Sequence, residues 1–302
     1  MAEKGAADRR GVFRPSWWRA KAHNVTVTAR RLRSTAETRF PVVSHLTNRM
    51  LSVNILDAAT RLAAQCFLTA IPLLFVVGSF APEGVKEQLV SSVRAVFGLT
   101  GAADDELKKL YTSHTESLEQ VTGVVGTLMV VLSATAVSRA MQRLCMRAWE
   151  IPKGGAKVAP WRWLVWIAVW LVVLVVQGPL RDGFGAGLWL GIPVTVVCQT
   201  MLWWWSQHLL LGGRIGWLPL LPGAVLTGAA VTALSIGAQF YMPVALNRTL
   251  AEYGSLGPVF TLLSWLIVVC AAVAVAVTAG AVLAQETGLA RRLGSPAARR
   301  GV

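Results

Sequence analysis

Charged residues are scarce in this chain, and acids are scarcer than bases. Lys, Arg, Asp and Glu make up 15% of the 302 residues, against about 25% in an ordinary soluble domain. With 54% hydrophobic residues, that deficit excludes an ordinary soluble globule and puts the chain in the polytopic membrane class. The four cysteines, Cys66, Cys145, Cys198 and Cys270, form no CxxC spacing. They read as small buried hydrophobes, with no disulfide framework or metal site expected. His23, His45, His114 and His208 lie far apart and make no ligand pair. No GxxxxGK[S/T] loop is present, which argues against direct ATP use. No acid lies clearly within an apolar run, so proton coupling has no obvious carrier. No cleavable signal peptide is expected, because the N-terminus is long, basic and polar. Nucleic acid is not an expected partner, since the bases are not interleaved with stacking aromatics. No catalytic residue, cofactor or metal is assigned.

The chain does contain long apolar runs. The one that follows Pro258 has no charge before Glu286 and would be roughly 40 Å long as a helix, beyond the ~30 Å of bilayer hydrocarbon. Spans are expected at about 59–80, 122–140, 161–177, 188–210, 217–241 and 258–284. The fold class is therefore all-α, a polytopic membrane protein of six transmembrane helices. A basic tail (1–39) precedes the membrane domain (40–286), and another (287–302) follows it. The net charge of +14 is concentrated in the two tails, in the Arg139–Lys157 loop and at Arg214. Basic connections stay cytoplasmic. All four regions fall on one side only with six spans and both termini inside.

Several local features matter for function. Residues 1–39 carry ten Lys/Arg around Trp17-Trp18, either a surface-bound or a solvated tail. From Pro41, apolar positions at helical spacing predict an N-terminal amphipathic helix, on the interface or against the bundle. Asp57 and Arg61 stand one helical turn apart and can pair at the mouth of the first span. Gln65 and Pro72 lie within that span; the proline is either a functional hinge or an ordinary kink. Residues 82–121 predict a two-helix extracytoplasmic cap, its carboxylates forming a solvated face in preference to a catalytic set. Arg139, Arg143 and Arg147 recur every four residues on one face. Gln199 and Gln239 are polar points in the fourth and fifth spans. The Trp203-Trp204-Trp205 run suggests an interfacial belt, and the third span reads as lipid-facing. Tyr253, Gly254, Gly257 and Pro258 form a glycine turn before the last span, either a hinge or seal against the cap or a plain helix start.

The segment Asp57-Ala58-Ala59 through Ala70-Ile71-Pro72-Leu73-Leu74, the basic stretch Arg139–Trp149, Trp217-Leu218 through Pro222-Gly223-Ala224, and above all Tyr253-Gly254-Ser255-Leu256-Gly257 resemble the YihY/virulence factor BrkB family. The resemblance covers about residues 50–286. Where that family usually has a tyrosine pair, this chain has Cys66-Phe67. The resemblance implies a bacterial inner-membrane protein linked to envelope or lipid-related export. It also brings an old ribonuclease BN label, for which the sequence offers no metal-ligand cluster.

The leading expectation is a transporter or exporter of a lipid-like or amphiphilic substrate. Its path or hinge would draw on Asp57, Arg61, Gln65, Pro72, Arg139, Arg143, Gln199, Gln239, Tyr253, Gly254, Gly257 and Pro258. The alternative is a non-transporting membrane scaffold for envelope proteins. Both expect membrane lipids with anionic headgroups as partners at the cytoplasmic face, admit a homo-oligomer, and assign no enzymatic activity.

Overall fold

A computed structural model describes residues 49–50, 54–80, 82–97, 121–151, 160–181, 188–254 and 256–295. The tail 1–39, most of the amphipathic helix expected from Pro41, the second half of the cap (98–120) and the tail beyond 295 lie outside the described residues.

Among the described residues every regular element is a helix: α1 (Ile55–Phe80), α2 (Glu83–Phe97), α3 (Val121–Ala148), α4 (Pro160–Arg181), α5 (Leu188–Leu210), α6 (Trp217–Tyr253), α7 (Leu256–Gln285) and the short α8 (Thr287–Leu293). α6 has 37 residues and α7 has 30, and both are long and apolar enough to cross a membrane.

The six long helices close a ring. α1 packs on α3, α3 on α4, α4 on α5, α5 on α6, α6 on α7, and α7 back on α1, while α2 lies against α4 and α6. Neighbours run antiparallel, as their contacts fix. The Ser138 hydroxyl reaches the Trp163 carbonyl at 3.4 Å, and Trp170 Nε1 donates to Ser206 Oγ at 3.3 Å. Trp204 Nε1 donates to the Trp217 carbonyl at 2.6 Å. Arg49, just before α1, donates to Gln285 Oε1 at the end of α7 at 3.0 Å. Small residues let the backbones meet. A Cβ on Gly280 would run into the backbone of Gly223, and one on Gly228 would lie 2.9 Å from Thr200 N. This is close packing of the kind that joins helices in lipid.

Alternation collects the starts of α1, α4 and α6 and the ends of α3, α5 and α7 at one end. There a single core takes side chains from all six, among them Ala59, Cys145, Trp166, Trp203, Ala224 and Val277. A smaller cluster, Ala238, Met242 and Leu246 with Trp265, sits at the other end.

Three expectations about this architecture change. The stretch between the spans expected at 217–241 and 258–284, which begins near Pro243, is helical to Tyr253. Pro243 removes one helix bond, but Asn247 Nδ2 donates back to its carbonyl at 2.9 Å, and burial of Met242 and Leu246 against Trp265 holds the segment. The Trp203–Trp205 run is not simply a belt: Trp203 is core, 5% exposed, and its ring meets Trp170 edge-on at 5.2 Å. The third span is not simply lipid-facing, since Trp166 on α4 is buried in the same core. Periodicity saw apolar rings there but not which side the bundle occupied.

Candidate functional site

Arginines dominate the shared end. On α1, Arg61 Nε donates to Asp57 Oδ1 at 2.8 Å. The pair is exposed and contributes little by itself, but it occupies the only acid of that helix. On α3, Arg139, Arg143 and Arg147 lie along one exposed face. The Arg139 guanidinium sits 5.7 Å from the centre of the Trp163 ring, and its Nε donates to the Thr135 carbonyl at 3.1 Å. Trp163 is oriented in turn by its Nε1–H donating to Gln142 Oε1 at 3.2 Å. Partial burial, then the charges of Arg139, Arg147 and Arg61, hold the Arg143 guanidinium below its usual range. Among the described residues no carboxylate pairs with Arg139, Arg143 or Arg147. Four cations facing one committed acid make an anion site by charge, suited to a phosphate or carboxylate.

Behind this rim lies a contact that the sequence reading missed. Arg49, its side chain 11% exposed, is ion-paired with Glu150 and donates to Gln285 Oε1 at 3.0 Å. It ties the approach to α1, the exit of α3 and the end of α7 together. Burial pulls its guanidinium below the usual range. The only hint in the sequence is Glu150, a lone acid in a basic stretch. A line of buried polar groups on α5 was also only partly seen. Thr195 Oγ1, Gln199 Oε1 and both side-chain polar atoms of Gln207 have no hydrogen-bond partner. Their spacing of four and eight residues puts them on one face. Gln207 stands against Gly223, where a Cβ would lie 2.9 Å from its Oε1.

At the opposite end, α6 and α7 join through the glycine turn. Gly254 ends α6 at φ 60, ψ −148, a region essentially confined to glycine. Gly257 serves another purpose: a Cβ there would collide with the Thr249 carbonyl. Beside this close approach lies a groove of about 580 Å³, lined chiefly by Tyr241, Thr249, Tyr253, Phe260, Thr261 and Trp265.

The structure therefore brings Asp57, Arg61, Arg139 and Arg143 to one end, and Tyr253 and Gly257 into the groove at the other. Gly254 caps α6, and Pro258 lies in the first turn of α7. Gln65 is half-buried on α1 with an unpartnered Oε1. Pro72 is inside α1, and Gln239 is half-buried on α6. Neither these three nor Gln199 line the groove. Among the described residues, no group of three His, Cys, Asp or Glu could hold a metal.

The model of a family described as Virulence factor BrkB matches residues 46–301. No curated protein and no solved structure matches the chain.

Proposed function

Because this chain belongs to the virulence factor BrkB family, we propose that it is an inner-membrane protein that binds and moves an anionic, lipid-like amphiphile. The family and the apolar helices α6 and α7 support a helical membrane protein. The antiparallel ring, whose alternation collects Arg61, Arg139, Arg143, Arg147 and Arg214 at one end, supports a reading of six crossings with both termini cytoplasmic. The observation that carries the function is the stripe Arg139, Arg143 and Arg147, with which no described carboxylate pairs, beside Arg61 and its one acid Asp57. Arg61, Arg139, Arg143 and Arg147 receive the anionic headgroup; no catalysis or cofactor is assigned.

The core filled by all six helices at this end favours a second reading, a non-transporting scaffold that uses the arginines only to hold anionic lipid. Reconstitution separates the two. Vesicles carrying the protein and a fluorescent anionic lipid are followed with and without an imposed gradient. Movement above protein-free vesicles, lost in Arg143→Ala at equal abundance, is expected. Absence of movement under both conditions overturns the transport reading.

A further inference from the structure

We propose that the groove between α6 and α7 holds one acyl chain of a membrane phospholipid; this rests on the membrane reading above, but not on the arginine site. The groove runs beside two helices long and apolar enough to cross a bilayer. It lies at the end of the ring opposite the arginines.

Its chemistry suits a hydrocarbon chain and not a headgroup. No charged side chain lines it. The Thr249 and Thr261 hydroxyls lie 3.0 Å apart; one donates to the other, which in turn donates to a carbonyl of its own helix, either Thr249 to Ala245 at 2.8 Å or Thr261 to Gly257 at 3.0 Å. These hydroxyls make no demand on a polar ligand. Aromatic rings supply the walls. Tyr241 and Trp265 stack at 5.8 Å and form the deep end, while Tyr253 and Phe260, 68% and 63% exposed, flank the end near the turn. Gly257 against the Thr249 backbone leaves the floor recessed between these rings.

The dimensions agree. From Tyr253 back to Tyr241 is about 18 Å along the helix, and one leaflet contributes about 15 Å of hydrocarbon. The volume of about 580 Å³ falls within the ~300–1,000 Å³ of small-ligand clefts. A chain lying parallel to the helices fills it from the level of the turn to the middle of the membrane.

The test uses the full chain in phosphatidylcholine vesicles whose lipid carries a photoreactive diazirine on one acyl chain, with adducts mapped by mass spectrometry. Adducts per residue over 241–268 should exceed those on the exposed α3 positions Leu128, Met129 and Leu132 by about tenfold. Ala245→Trp and Ser264→Trp each fill the groove and should bring its labelling down to the α3 level. Unchanged α3 labelling reports that the variant is folded, and the use of two variants covers the loss of one. The proposal is overturned by equal labelling of groove and α3, by undiminished labelling in both folded variants, or by a photo-crosslinker at position 260 that captures residues 98–120 or a second copy. Arg143→Ala should leave groove labelling intact. Lost lipid movement with intact labelling therefore bears on the arginine site alone, and lost labelling with intact anionic-lipid binding bears on the groove alone.

Discussion

Replacing Arg143 with alanine should have effects of opposite sign on stability and on binding. Arg139 and Arg147 each lie four residues from Arg143 on α3, and like charges at that spacing destabilise a helix by about 0.2–0.5 kcal/mol per pair. Removing Arg143 abolishes both pairs, a gain of about 0.4–1 kcal/mol before screening. Exposure of the side chain moves this toward the lower figure. The melting temperature in an uncharged detergent should rise by about 1–3 °C. The same substitution deletes one of four cations facing an anionic headgroup. A basic residue near an anionic surface contributes about 1 kcal/mol, so affinity for vesicles containing anionic lipid should fall about fivefold. Thermal unfolding and vesicle binding, each at low and high salt, measure the two effects, and both should shrink at high salt. The reasoning is refuted if Arg143→Ala melts lower in uncharged detergent, because the arginine would then be structural. It is equally refuted if binding to anionic vesicles is unchanged.

Other substitutions probe the frame around the two sites. Gly257→Ala forces a Cβ into the Thr249 carbonyl and should destabilise by about 1–3 kcal/mol. Gly254→Ala should cost a similar 1–3 kcal/mol, through its backbone conformation alone. Both are read as lowered melting temperatures. Glu150→Ala leaves the largely buried Arg49 without its carboxylate and should destabilise by about 1–3 kcal/mol; adding Arg49→Met should restore part of the loss.

The local periodicity of the chain made its helices legible. The run after Pro258 could not be anything but a long apolar helix, and α5 begins and ends where its composition changes. The stripe Arg139, Arg143, Arg147 was equally visible, because spacing by four is a property of one helix. Pairings between distant segments were not visible. Nothing local tells that Arg61 on α1 faces that stripe, or that Arg49 reaches Glu150 and Gln285. Pro243 and the tryptophan run misled for the same reason. A proline signals a break unless tertiary burial holds the helix through it, and three adjacent rings look alike until a neighbouring helix covers one of them.

The sequence by itself determined the all-helical membrane class, the uneven distribution of basic charge and the need for glycine before α7, since each follows from composition or local conformation. Only the tertiary structure decided which helices are neighbours, and with them the two sites. The arginine set requires α1 and α3 to run antiparallel, side by side. The aromatic groove requires α6 to continue past Pro243 beside α7. Both depend on contacts between residues far apart in the chain, and local periodicity carries no information about those contacts.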